Sequence, residues 1–544
     1  MVKKRLTVSD FFCGAGGFSE GFRQKGFNLV FSLDNWSPAK LTHDLNHPSC
    51  NCVLMDILEI DTPKKIDSIV PDTDIIIGSP PCVSFSGSNK AGKADKSLGI
   101  RLIKAYLRIV AWKIKKGTCK YWILENVPNS GKYIKDSYTW DELDLPGGNK
   151  TALKIPQKQI LNAAQYGSPQ TRKRFVCGNY PEVKKSHELE SSWITMKDVQ
   201  DSLTNPLSNK KPKKVIDPVY KFELDSKDLT DHFYDSTIAD YEWKRARRLK
   251  EDHGFMGKMS FPENINRPSR TVMATMSAST REAIIFNAIK SNKKMGYRLP
   301  TIREISSFMS FPITYQFEGT NENNKYKLIG NAVCCKLAAS LAESIANKEK
   351  IKCPDYIPQK LIKPSVDLTG IKRIPKRPKP RQKDAKFAIH IPYLKIKSFR
   401  VELTNKESNF KKEKYVWKSK IHYGSGKNAK FTELNLKEIE KVIYEDINFS
   451  KFKTKIKKVF EKIKITSYEL QDSYVMNGNT TYCISPDEVL ELMKKTIEKT
   501  YPFEKFKDKF IDNNSFKEIK RNEIPFLILI GAWANQYFVE KVIN

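Results

Sequence analysis

Four short stretches carry residue types able to do chemistry, and each sits at the edge of an apolar run. Gly78-Ser79-Pro80-Pro81-Cys82 follows Ile75–Ile77. A double proline fixes the backbone there and presents the Cys82 thiol rigidly, as a nucleophile requires. The stretch beyond it, through Ser84-Phe85-Ser86-Gly87 to Gly99, is rich in Lys and Gly and reads as a loop able to close over a polyanion. Glu125-Asn126-Val127-Pro128 follows Tyr121–Leu124; a strand-end Glu beside a cleft becomes a proton donor once burial raises its pKa. Gln170-Thr171-Arg172-Lys173-Arg174 leads into another strand, where alternation puts Arg172 and Arg174 on one face, suited to a base carbonyl or a phosphate. The last stretch, Phe12-Cys13-Gly14-Ala15-Gly16-Gly17-Phe18, is a glycine turn that lets backbone approach a ligand closely. Asp34 and Asp56 end the next two apolar runs, where carboxylates can accept ribose hydroxyls or meet an adenine amino group. Turn and acids together predict a nucleoside-bearing cofactor. The pattern G-x-x-x-x-G-K-[ST] is missing from the turn, which argues against a nucleoside triphosphate.

The elements that must position these residues alternate. Leu6–Phe12, Phe27–Leu33, Cys52–Met55, Ile75–Ile77 and Tyr121–Leu124 read as buried strands, and Phe18–Lys25, Pro38–Leu45 and Ile100–Lys115 as amphipathic helices. Such alternation predicts an α/β domain with a mostly parallel sheet and ligands at the carboxyl ends of its strands. Over 179–266 the pattern breaks down; this stretch includes the basic run Trp243-Lys244-Arg245-Ala246-Arg247-Arg248. Periodicity resumes over 267–350 and closes in a helix-like Ala332–Ala346. A Pro- and Lys-rich segment within 351–386, densest at Ile374–Arg381, predicts an extended, solvated linker. Residues 387–544 have a globular composition, with helical patterns at Leu434–Tyr444 and Pro486–Thr500, and predict a separate C-terminal α+β domain.

With 40% hydrophobic residues the 544-residue chain can bury large cores, which excludes wholesale disorder. Lys and Arg outnumber Asp and Glu by 95 to 62, a formal charge of +33 that calls for a polyanionic partner. About half of that excess lies after residue 350. The longest apolar run, Ile524–Ala534, is far short of a membrane span, and no apolar signal core follows the basic N-terminus. Ten cysteines with no paired CxxC spacing predict a reduced intracellular protein without a structural metal. The abundance of Lys, Ile and Asn points to an AT-rich bacterial genome. Glu518-Ile519-Lys520 has the E-x-K form of some nucleases, which chance supplies in a chain this rich in Glu and Lys.

Taken in order, the blocks resemble the cytosine-5 DNA methyltransferase family from about residue 5 to 347. Phe12–Phe18 looks like its S-adenosylmethionine loop, Pro81-Cys82 with Phe85-Ser86 like its catalytic loop, and Glu125-Asn126-Val127 like its E-N-V. Gln170, Arg172 and Arg174 fit its Q-x-R-x-R, preceded by Asn162–Gly167. Arg267–Thr271, Tyr297–Glu304 and Gly330-Asn331-Ala332-Val333 close the series. The resemblance implies a Rossmann-like methyltransferase domain with a small target-recognition region at 179–266. It implies S-adenosylmethionine contacts at Phe12, Gly14, Gly16, Gly17, Asp34, Asp56, Pro80, Leu102, Asn331 and Val333, and no metal. Three departures stand out: Ser79 for the usual Gly, Val83 for the usual Gln, and Cys334-Cys335 for a common proline pair.

The mechanism this implies has Cys82 adding to carbon 6 of a cytosine flipped out of double-stranded DNA, with Glu125 stabilising charge on the ring and Arg172 and Arg174 holding the base and loop. Ser84, Ser86, Lys244, Arg245, Arg247 and Arg248 are the expected DNA contacts. The C-terminal domain is expected to share DNA contact, with partner binding or a fused nuclease the other readings. A restriction-modification setting, with a cognate endonuclease as genetic partner only, a monomer, and a cytoplasmic, nucleoid-associated location complete the expectation. Two rivals are an RNA (tRNA) cytosine-5 methyltransferase and a catalytically silent DNA-binding protein on the same scaffold.

Overall fold

A computed structural model describes residues 5–81, 85, 95–208, 210–253, 257–289, 295–375, 379–424, 429–477 and 484–543. The chain divides into two compact units, Met1–Trp243 with Pro262–Arg373, and Lys244–Phe261 with Ile374–Asn544.

The first unit is built on a seven-stranded sheet, and the predicted apolar runs supply its core strands. These are β1 (Thr7–Phe11), β2 (Asn28–Asp34), β3 (Asn51–Leu54), β4 (Ile75–Gly78) and β5 (Tyr121–Asn126). A hairpin of β6 (Ser137–Thr139) and β7 (Thr151–Lys154) precedes β8 (Gln157–Asn162), β9 (Gln170–Thr171) and β10 (Lys173–Asn179). The sheet order is β3-β2-β1-β4-β5-β10-β8, and only β10 runs against the others. Both faces are covered: Ile75 and Ile77 of β4 enter one apolar core and Ile76 the other, so the strand reads as a continuous apolar run. Chain order reverses between β1 and β4, which opens a crevice at their carboxyl ends. The residues leaving those ends are Phe12–Gly17 and Ser79–Pro81.

Helices α1 (Gly17–Gln24), α2 (Ser37–Asn46), α3 (Pro63–Ile69) and α4 (Ser97–Lys115) connect the early strands. After α5 (Met196–Leu203), helix α6 (Asp240–Glu251) runs out of the first unit into the second. The first unit then closes with α7 (Ile302–Phe308), α8 (Glu322–Asn331) and α9 (Cys335–Lys348). Helix α1 lies against α9 at Gly21, where an added Cβ would fall 2.4 Å from the Ala338 Cβ. Two-stranded pairs, β9 with β13 (Ser269–Arg270), β11 (Lys214–Ile216) with β12 (Glu223–Asp225) and β14 (Phe286–Ile289) with β15 (Met295–Arg298), order the less regular stretches.

In the second unit an antiparallel sheet, β16 (Ala388–Ile396), β17 (Phe399–Thr404), β18 (Lys418–Tyr423) and β19 (Lys430–Thr432), pairs in sequence order. It is joined by α10 (Leu436–Ile443), α11 (Phe449–Phe460), α12 (Ser467–Met476), α13 (Pro486–Thr500), α14 (Phe503–Phe506), a short pair of β20 (Phe510–Asp512) with β21 (Glu523–Pro525), and α15 (Phe526–Lys541). The long apolar run of the sequence is α15, a buried core helix that packs on the sheet. Burying each of its large side chains contributes about 1.5–3 kcal/mol.

Two expectations about boundaries need correction. Much of the expected solvated linker is fastened to the first unit: Leu368 N donates to Asp231 Oδ1 at 3.0 Å, the Gln359 amide donates to Asn46 O at 2.5 Å, and Arg373 pairs with Glu242 at 2.7 Å. Composition predicted solvation, but buried acceptors elsewhere in the chain claim its donors. The irregular stretch 179–266 is likewise divided, because Lys244–Phe261 packs with the second unit.

The anchor of that strap is a fully buried ion pair, Lys325 with Asp231 at 2.7 Å, whose ammonium also donates to Val366 O at 2.5 Å. Breaking one side leaves an uncompensated buried charge. We expect Lys325→Met to lower the unfolding free energy by about 3–5 kcal/mol, with much of the loss recovered in Asp231→Asn/Lys325→Met. Denaturant midpoints for the single and double variants check this, and a single variant as stable as the parent would contradict it.

Candidate active site

The glycine turn crosses from β1 into α1 with Phe12, Gly14 and Gly16 all at positive φ (57°, 53° and 81°). It is locked from behind. The Tyr315 hydroxyl donates to Ala15 O at 2.6 Å, and an added Cβ at Gly17 would lie 2.1 Å from Val333 O. Only glycine tolerates both the turn and that approach. Beneath the turn, Asp10 accepts from the Ser19 hydroxyl at 2.7 Å, and His43 Nε2 lies 3.1 Å from the same oxygen. Burial pushes Asp10 up to about 7, His43 down to about 4 and His47 down to about 3. Burial thus keeps both histidines neutral near neutral pH and makes Asp10 hold its proton more readily than a free carboxyl does.

Asp34, at the end of β2, accepts from Gly14 N at 2.9 Å through one oxygen and from Trp36 N at 2.9 Å through the other. Burial raises its pKa and these amides oppose the rise. The carboxylate is thus held in place with lone pairs to spare for hydroxyls. Asp56 caps a turn of 3₁₀ helix, accepting from Leu58 N at 2.9 Å. Gly14 faces open space, its added Cβ meeting nothing nearer than Phe12 O at 3.9 Å. Acids at two strand ends around an open glycine turn suit a nucleoside with free hydroxyls and a cationic centre.

Cys82, Val83, Ser84 and Ser86 lie outside the described residues. The backbone that leads to them is well fastened. Ser79 N donates to Phe11 O and its hydroxyl donates to Phe12 O, both at 3.1 Å, so this serine ties the end of β4 to the glycine turn. The Asn126 amide donates to Pro80 O at 3.0 Å while its oxygen accepts from Val127 N at 2.8 Å. Pro80 is buried, and Phe85 is buried with its ring 5.2 Å from that of Tyr133. Leu102, on α4, lies in the same core as Phe85.

Glu125 is buried at the end of β5, and Arg174 Nε lies 2.9 Å from its Oε1 without the alignment of a hydrogen bond. Burial raises the Glu125 pKa; Arg174 first, then Arg172, holds it down. Arg174 also donates to Lys173 O at 2.8 Å. Arg172 does something else. Its guanidinium donates to Val272 O at 2.9 Å, Gly330 O at 2.9 Å and Ala332 O at 3.1 Å. The two arginines share an electrostatic target but not a set of partners. Arg172 registers the Gly330–Val333 segment, with exposed Asn331 and buried Val333, against the sheet. Just beyond that segment Cys335 N donates to Met309 O at 3.1 Å, a bond that a proline at this position lacks.

The four residues of α6 expected to contact DNA separate. Lys244 and Arg245 are exposed, and Arg247 pairs with Glu251 at 2.9 Å. Arg248 is drawn into the second unit, 3.2 Å from Asp487 and donating to His390 O at 3.0 Å, so its expected role in DNA contact gives way to holding that unit together. Sequence reasoning missed Asn126 as a brace, Tyr315 behind the turn and the carbonyl-gathering role of Arg172. Only Asn126 carried a signal, its place inside E-N-V.

Residues 6–347 match the family described as C-5 cytosine-specific DNA methylase. A type II methyltransferase of Herpetosiphon aurantiacus, M.HgiDI, is 30% identical over 346 residues, covering 62% of this chain and 94% of that protein. M.DdeI of Desulfomicrobium norvegicum is 27% identical over 388 residues, covering 63% and 88%. A solved S. pombe Dnmt2 methyltransferase superposes with a TM-score of 0.42 at 16% identity, over 64% of this chain and all of that one.

Removing the Arg172 guanidinium strands three buried carbonyls. We expect Arg172→Met to lower stability by about 2–4 kcal/mol and to weaken S-adenosylmethionine binding measured by calorimetry. Undiminished cofactor affinity with abolished turnover would instead make Arg172 a group that acts on the reacting base.

Proposed function

This chain belongs to the C-5 cytosine-specific DNA methylase family and is a DNA cytosine-5-methyltransferase that uses S-adenosylmethionine; on that premise we propose how its residues divide the work. Cys82 is the nucleophile. Its thiolate adds to carbon 6 of the target cytosine, which makes carbon 5 enamine-like. Glu125, in its acid form or sharing a proton with ring nitrogen 3, stabilises the charge that develops on the ring. Arg174 orients Glu125 and the base carbonyl, and Arg172 positions the segment bearing Asn331. When bound, S-adenosylmethionine supplies an electrophilic methyl group. Once carbon 5 carries that methyl, loss of its proton expels Cys82 and restores the aromatic ring. The cytosine must leave the helix to reach Cys82 and Glu125.

The observation that carries this reading is the buried Glu125–Arg174 pair, 2.9 Å apart, next to an asparagine that grips Pro80, two residues before the nucleophile. Burial that raises the Glu125 pKa keeps a carboxyl able to hold a proton, and the arginine keeps that rise in check. Phe12, Gly14, Gly16, Gly17, Asp34, Asp56, Pro80, Leu102, Asn331 and Val333 line the cofactor site. Asp34 takes the ribose hydroxyls and Asp56 the adenine amino group.

Double-stranded DNA of one specific sequence is the substrate, and residues 179–266 share in its recognition through Lys244 and Arg245; Ser84 and Ser86 contact it from the catalytic loop. The relatives' designation as type II methyltransferases supports a restriction-modification role, with the endonuclease a genetic partner only. The enzyme acts as a monomer in the bacterial cytoplasm at the nucleoid.

Cys82→Ser is expected to bind S-adenosylmethionine as the parent does and to transfer no labelled methyl to duplex DNA. Parental turnover by that variant would rule out the assignment, and label entering tRNA in preference to duplex DNA would redirect it. A proton held on Glu125 is lost as pH rises through its elevated pKa, so the transfer rate should fall on the alkaline side of its optimum. Glu125→Gln, which cannot titrate, is expected to be slower and to lack that alkaline limb in single-turnover assays.

A further inference from the structure

The family match ends at residue 347, and of the second unit the proposed function uses only Lys244 and Arg245. Yet that unit, 189 residues over Lys244–Phe261 and Ile374–Asn544, carries 42 Lys and Arg against 24 Asp and Glu, a net +18 of the chain's +33. We propose that it is a second duplex-DNA contact surface, centred on the lysine face of α11, that grips backbone phosphates outside the target base pair. The inference rests on the reading that duplex DNA is the substrate.

Helix α11 is two-sided. Phe449, Phe452, Ile456 and Phe460 recur at helical spacing and are buried in the core of the second unit. Lys451, Lys455 and Lys458 recur on the opposite side, with Lys462 just past the helix end. Lys453 is committed to Glu440 at 2.7 Å, and Lys455 reaches the Thr500 hydroxyl at 3.1 Å. Lys451, Lys458 and Lys462 are exposed and have no ion-pair partner among the described residues. Free ammonium groups aligned on a rigid helix match a phosphate backbone as point charges and carry no base readout.

Two observations favour DNA over another polyanion. A membrane-surface helix must offer its apolar side to lipid, and here that side is enclosed in the core. The second unit also contains Lys244–Phe261, part of the stretch at the family's target-recognition position. Arg248 with Asp487, and Asp252 with His390 at 2.8 Å, build that stretch into the same body as α11. The stretch that remains for recognition in the first unit is short, so a basic body continuous with it in the chain extends the footprint.

The test uses the full chain carrying Lys451→Gln, Lys458→Gln and Lys462→Gln together, beside a charge-matched control, Lys411→Gln, Lys412→Gln and Lys414→Gln. Binding to a mixed-sequence duplex of about 40 base pairs is followed against salt concentration, because each phosphate that is no longer neutralised lowers the slope of log K against log salt by about 0.9. We expect the α11 variant to bind about 10- to 100-fold more weakly near 0.1 M salt, with a slope smaller by about 2–3. The control, the methylated sequence, kcat at saturating duplex and the melting temperature should stay as in the parent, and the matching Lys→Arg triple variant should restore the slope. A parental slope in the α11 variant, an equal change in the control, or abolished binding to phosphatidylglycerol vesicles with duplex affinity intact would each overturn the proposal. Parent protein that methylates no duplex would overturn the substrate reading itself.

Discussion

One buried guanidinium holds the catalytic unit in register. Arg172 sits where β9 gives way to β10 and gathers carbonyls from Val272, Gly330 and Ala332, about 100 and 160 positions further along the chain. An uncapped backbone carbonyl in a core is costly, and a charged fork with several donors is an economical way to cap three at once. The geometry then propagates. With Ala332 fixed, Val333 O lies against Gly17, α9 lies against Gly21, and the glycine turn is pinned between β1 and the closing helices. Asp34 is held by the same turn, through the bond that its carboxylate accepts from Gly14 N.

The reacting side depends on an opposition of forces at Glu125. Desolvation favours the neutral acid, whereas Arg174 and Arg172 favour the carboxylate. Neither extreme would be useful: an unopposed buried acid holds its proton too tightly, and a fully paired carboxylate has none to give. Asn126, next in the chain, couples this balance to the double-proline segment through Pro80.

Much of this was legible in the sequence, and the reasons differ by residue. β1 to β5 and the strand-end positions of Asp34 and Glu125 follow from apolar runs, because a parallel sheet covered on both faces demands them. The glycine turn was readable because glycine is the residue that most readily adopts the positive φ of Gly14 and Gly16. The separate partners of Arg172 and Arg174 were not, since alternation specifies a face and says nothing of which distant carbonyls will arrive there. The docked strap failed for a related reason: Pro and Lys describe local solvation, but Asp231, Asn46 and Glu242 lie more than a hundred residues earlier. Arg248 looked like a phosphate anchor because a charge run on a helix does not reveal that Asp487 waits for it.

The divided second unit bears on how the protein is made. Lys244–Phe261 leaves the ribosome well before residues 374–544, which complete the core it packs into. At about 5–20 residues per second, tens of seconds separate the two halves of one domain. During that interval the first unit can assemble around its sheet while the partners of Arg248 and Asp252 are still to be made. Docking of Arg248 and Asp252 therefore waits until Asp487 and His390 have been made, late in synthesis.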